Sequence, residues 1–83
     1  MKNEEVIDNS IEKMELIKRI GEKVQQLRIE NTQLTTNAFA KKYSINHQTY
    51  YRMEQGENFT ILTFIKVLEV HKISLNAFFE GLE

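Results

Sequence analysis

Apolar residues recur along this chain at steps of three and four with no alternation at steps of two, so the pattern predicts helices and no strands. The longest stripe is Ile7, Ile11, Met14, Ile17, Ile20 or Gly21, Val24 and Leu27, one face of a long first helix. Two starts fit it. Asn9 with Glu12 three residues later makes a capping box, whereas the stripe reaches upstream and allows a start at Asn3 or Glu4. The helix is expected to end near Glu30, with Asn31-Thr32-Gln33 as the loop. Gly21 inside it costs about 1 kcal/mol relative to alanine, a cost that close packing of another helix would offset.

The run Leu34 to Gly56, LTTNAFAKKYSINHQTYYRMEQG, reads as two short helices joined by a tight turn. Thr35 or Thr36 caps the first of them, which runs to about Tyr43 and turns Phe39 and Ala40 inward. Ser44-Ile45 makes the turn, with Ile45 plugging the corner. Asn46 is a strong N-cap for the next helix, which buries Tyr50 and Met53 and stops at Gly56, a residue free to adopt positive φ. Tyr43 and Tyr50 read as core residues whose hydroxyls reach the surface. After the connector Glu57-Asn58-Phe59, Thr60 caps a fourth helix with Ile61, Phe64, Ile65 and Leu68 at helical spacing. His71-Lys72-Ile73 connects it to a fifth, capped by Ser74, carrying Leu75, Phe78 and Phe79 and ending at Gly81. The expectation is an all-α, compact five-helix domain over residues 13–83, with a helix-turn-helix at about 35–55 and residues 1–12 as a partly helical or mobile extension.

The outward face of the third helix is then His47, Gln48, Tyr51 and Arg52. Such a face donates and accepts hydrogen bonds in several directions, which is what reading base edges in a major groove demands. Arg52 matches guanine O6 and N7, or a phosphate. Gln48 matches adenine N6 and N7. His47 suits a phosphate or a base edge and would make binding depend on pH. Tyr51 suits a thymine methyl or a sugar. Lys41 and Lys42 are placed to reach the backbone, and Thr35 and Thr36 sit where a helix N-terminus favours an anion.

Charge sharpens this picture. The 83 residues carry a net charge of −1, which on average argues against a polyanionic partner. Yet residues 18–52 hold seven basic and two acidic groups, between flanks that each hold two basic and five acidic ones. A positive middle can still meet phosphates, although weakly compared with a strongly basic domain. There is no cysteine, so disulfides and thiolate metal sites are excluded, and two distant histidines make no metal site. No apolar run approaches the roughly 20 residues that span a bilayer, and MKNEEVIDNS is unlike a signal peptide. A cytoplasmic protein without membrane contact or cofactor is expected.

With its pieces in this order, the chain resembles the phage-repressor and Cro-like helix-turn-helix family, the XRE-type transcriptional regulators. The supporting strings are IGEKVQQLR, the block from Leu34 to Gly56, and ISLNAFF, which together span roughly Ile20 to Phe79. The resemblance implies a lambda-repressor-like five-helix core that binds double-stranded DNA as a homodimer with its third helix in the major groove. It places Asn46, His47, Gln48 and Arg52 at base-reading or phosphate-contacting positions and Thr36 at the phosphate-facing start of the second helix. It also pairs Arg28 of the first helix with Glu54 at the end of the third. Ser44 stands where such proteins usually have glycine, Thr36 where they commonly have glutamine, and Glu57 where lysine or arginine is frequent.

Two functions compete. The first is a sequence-specific DNA-binding transcriptional regulator, expected to act as a repressor, with Leu75, Phe78, Phe79 and Leu82 or the N-terminal Val6, Ile7 and Ile11 as dimer surface. The second is a protein-interaction module, an antitoxin or adaptor using the same fold toward a protein partner. An enzyme is disfavoured: Asp8 is the sole aspartate, and no nucleophile-base set or phosphate-cradling glycine loop is visible.

Overall fold

The computed structural model describes residues 10–82. Over that span the chain is all-helical: α1 (Ser10–Thr32), α2 (Thr36–Lys42), α3 (His47–Glu54), α4 (Ile61–His71) and α5 (Leu75–Glu80), with no strand among the described residues. The expected capping box at Asn9 and the stripe residue Ile7 lie outside the described residues, as does most of the expected extension. None of the described helices is long and apolar enough to cross a membrane.

Four helices start on a side chain that accepts a hydrogen bond from the third residue beyond it: Thr35 from Ala38, Asn46 from Thr49, Thr60 from Thr63 and Ser74 from Ala77. Each satisfies one backbone N–H that the first turn leaves without a partner. The ends are as local. Ser44 has φ 57°, and its N–H bonds to the Lys41 carbonyl while that of Ile45 bonds to Ala40, closing α2 with a left-handed residue. Gly56, at φ 81°, closes α3 in the same way. Gln33 and Lys72 also adopt positive φ, at 57° and 55°. α1 runs to Thr32, two residues beyond the expected Glu30, because the Thr32 hydroxyl bonds the Arg28 carbonyl and accepts from the Leu34 N–H, holding the last turn together.

The core gathers Ile20 and Val24 of α1, Phe39 and Ala40 of α2, Ile45 of the turn, Tyr50 and Met53 of α3, Phe64, Val67 and Leu68 of α4, and Phe78 of α5. Aromatic rings knit it: Phe39 lies 4.9 Å from Tyr50 and 4.8 Å from Tyr43, and Phe64 meets Phe78 edge-on at 5.1 Å. Gly21 sits where α1 crosses the end of α3; a Cβ there would collide with the Met53 carbonyl and come within 2.9 Å of that of Glu54. The glycine is the condition for that crossing.

Several sequence expectations need correction. Ile61 and Ile65 do not face the core, being 64% and 43% exposed, whereas Val67 is fully buried. The charged Lys66 and Glu69 of α4 lie opposite Phe64, Val67 and Leu68, and with His71 stacked on Phe39 at 5.5 Å and Phe64 edge-on to Phe78 this apolar face turns inward. His71 accordingly ends α4 and does not begin the connector. On α5, only Phe78 is buried, with Leu75 and Phe79 exposed. Upstream on α1 the stripe loses its cover among the described residues: Met14 is 67% exposed and lines a depression with Gln55, Gly56 and Asn58 of the connector. The Tyr50 hydroxyl does not reach the surface, since the whole residue is buried with its ring against Phe39 of α2.

Candidate nucleic-acid interface

Seven of the eight residues of α3 fall on one side or the other, with Thr49 half-buried between them. Tyr50, Met53 and Glu54 are buried, while His47, Gln48, Tyr51 and Arg52 are exposed. At 100° per residue the four exposed side chains occupy about 140° of the helix circumference. His47 and Tyr51, one turn apart, bring their rings to 6.4 Å. With the cap Thr35, and with Thr36 and Asn37 of α2, they line a shallow depression, so the start of α2 and the outer face of α3 form one surface. On the other flank, Thr49, Arg52, Asn58, Phe59 and Thr60 line a second depression.

Each remaining side chain has a defined place. The Asn46 oxygen is taken by the Thr49 N–H at 2.9 Å, leaving its amide NH₂ outward at the start of α3. Thr35 is the cap of α2, accepting from the Ala38 N–H at 3.1 Å. Thr36 points back and donates to Glu54 Oε1 at 3.4 Å. Lys41 and Lys42 are exposed in the last turn of α2, at the opposite end from Thr35 and Thr36, and border neither depression. Lys42 lies 5.4 Å over the Tyr43 ring. Beside them, Lys66 of α4 donates to the Ser44 carbonyl at 2.9 Å and steadies the turn.

Beneath this surface lies one buried charge pair. Arg28 Nε and Nη2 donate to Glu54 Oε2 and Oε1 at 2.7 and 3.1 Å, and Nη1 donates to the Leu34 carbonyl at 2.6 Å. A single guanidinium thus joins α1, the approach to α2 and the end of α3, with two of its bonds in bidentate geometry. Its hydrogen bonds to Glu54 hold the Arg28 guanidinium above its ordinary pKa, so it stays charged. Burial, reinforced by the neighbouring Glu54 carboxylate, pushes the Tyr50 hydroxyl far above its usual range, so it stays neutral. His71, behind Phe39, is held below the usual histidine range by burial, with Asn31 Nδ2 3.1 Å from its Nδ1.

Asn37, Thr49, Asn58 and Thr60 border the same surface, and the sequence marks none of them for DNA contact; short polar residues near a cap carry no signal beyond their position. Among the described residues, no group of three or more histidine, cysteine, aspartate or glutamate side chains is arranged to hold a metal ion. A scan against protein-family models and searches of curated proteins and of solved structures found no match to this chain.

Proposed function

We propose that this protein is a sequence-specific DNA-binding regulator of transcription, a repressor, that uses α2, the turn at Ser44-Ile45 and α3 as a helix-turn-helix of the lambda-repressor-like kind. The observation that carries this reading is the split of α3: Tyr50 and Met53 are fully buried while His47, Gln48, Tyr51 and Arg52 emerge together on one ridge. Arg52 reads guanine, Gln48 reads adenine, and Thr35 and the amide of Asn46 approach phosphates, whereas the Thr36 hydroxyl is given to Glu54 and is not available to one. Arg28 and Glu54 do not touch DNA; they hold the two helices at a fixed angle.

One such ridge reads too few base pairs to single out a site, so the active species is a homodimer on two half-sites about 34 Å apart. Leu75 and Phe79 of α5, 49% and 36% exposed, offer the pairing surface, joined by Ile61, Leu62 and Ile65 of α4. Of the rival N-terminal surface, Val6 and Ile7 and the side chain of Ile11 lie outside what the structure describes.

Selection of bound sequences from a random DNA pool tests the proposal. Recovery of a palindrome supports it; enrichment of nothing overturns it. The same exposed apolar side chains of α4 and α5 favour a second reading, an adaptor or antitoxin that meets a protein partner. Log affinity for DNA that does not change with log salt would favour that reading, since phosphate contacts require a clearly negative slope.

A further inference from the structure

Resting on the DNA-binding reading, we infer that Glu57 determines what Arg52 recognises: it keeps the guanidinium off the phosphate backbone and commits it to a neutral base edge, guanine above all. The two side chains are both exposed, 57% and 59%, and Arg52 Nε lies 3.9 Å from Glu57 Oε1. Their closeness is built by the backbone. Gly56 turns the chain at φ 81°, its N–H bonding the Met53 carbonyl at 3.2 Å, and the Glu57 N–H returns to the Arg52 carbonyl at 3.0 Å. Gly56 is pressed against α1, where a Cβ would stand 3.0 Å from Lys18 Cα, so the turn cannot drift. Glu57 is therefore carried on the closing turn of the helix that bears Arg52.

The consequence is electrostatic. A phosphate approaching Arg52 meets a carboxylate beside the guanidinium, and juxtaposed like charges disfavour that contact. The edge of guanine bears no net charge and presents O6 and N7 to the guanidinium NH₂ groups, which the Nε-side carboxylate leaves free. The depression next to Arg52 agrees with this: Thr49, Asn58, Phe59 and Thr60 line it, and none is a cation that would help hold a phosphate.

The test uses the full chain and DNA from the selection above, measuring affinity for the selected site and its single-base variants across a salt series. Wild type, Glu57→Gln, Arg52→Ala and the double variant are compared. Arg52→Ala is expected to relax preference at one guanine. Glu57→Gln should lower preference at that same guanine about twofold to fivefold, the range open to an exposed charge pair. It should also steepen the salt slope by about one phosphate contact. In the Arg52→Ala background, Glu57→Gln should leave base preference unchanged. Undiminished guanine preference in Glu57→Gln, or a change that persists without Arg52, overturns the inference while leaving DNA binding intact. Failure of the wild type to select any sequence overturns both.

Discussion

Arg28 and Glu54 meet in a bidentate pair with side chains 9% and 1% exposed, and through it the first helix grips the last turn of the third. Removing one partner strands a buried charge, so Arg28→Met or Glu54→Gln should each lower unfolding free energy by about 3–5 kcal/mol. The double variant should lose clearly less than the sum of the two. Chemical denaturation of the four proteins checks this, and zero coupling between the positions would refute it.

Gly21→Ala sets two known effects against each other. Helix propensity improves by about 1 kcal/mol, but the new methyl collides with the backbone of Met53 and Glu54. Backbone cannot rotate away as a side chain can, so net destabilisation of about 1–3 kcal/mol is expected. A thermal melt that rises on substitution would contradict the tight crossing.

Ser44 and Lys72 hold φ of 57° and 55° without being glycine. A left-handed residue with a Cβ costs about 1–2 kcal/mol, partly cancelled by the extra freedom glycine has in the unfolded chain. Ser44→Gly and Lys72→Gly should each stabilise by about 0.5–1 kcal/mol, visible as a Tm gain of a few degrees in a domain of this size.

His71 gives stability a pH dependence. Burial lowers its pKa from 6.5, so between 6.5 and the lower folded value the unfolded chain binds a proton that the folded chain does not. Stability from this group is complete above pH 6.5 and is lost as pH falls through that window, flattening below it. Protonation also removes Nδ1 as an acceptor for Asn31. Urea titrations at pH 7.5 and 5 should show a smaller difference for His71→Gln than for wild type.

Gln48→Ala should relax selectivity at one adenine by about 1–3 kcal/mol, leaving preference elsewhere in the site intact. Competition binding against each single-base variant reads this directly; uniform weakening would instead assign Gln48 to the backbone.

Much of the architecture was legible because its determinants are local. Thr35, Asn46, Thr60 and Ser74 cap helices through their own side chains, and Gly56 turns where only glycine is comfortable. α3 was readable because polar residues surround only two inward apolar ones on its central turns. α4 was only partly legible: Ile61 and Ile65 share helical spacing with Phe64 and Leu68, but Lys66 and Glu69 mark the solvent side, and the face opposite them, Phe64, Val67 and Leu68, is the one buried. Gln33 and Lys72 at positive φ escaped because neither residue type announces that conformation. The burial of Glu54 was foreseen only by resemblance, since periodicity alone makes a charged helix-end residue solvent-facing.

Within α3, what keeps the molecule folded and what it presents outward are assigned to different side chains. Mutational drift at His47, Gln48, Tyr51 or Arg52 therefore leaves the melting point almost untouched. On the proposed function, descendants of this gene are free to change targets one letter at a time, without first acquiring compensating changes inside the bundle.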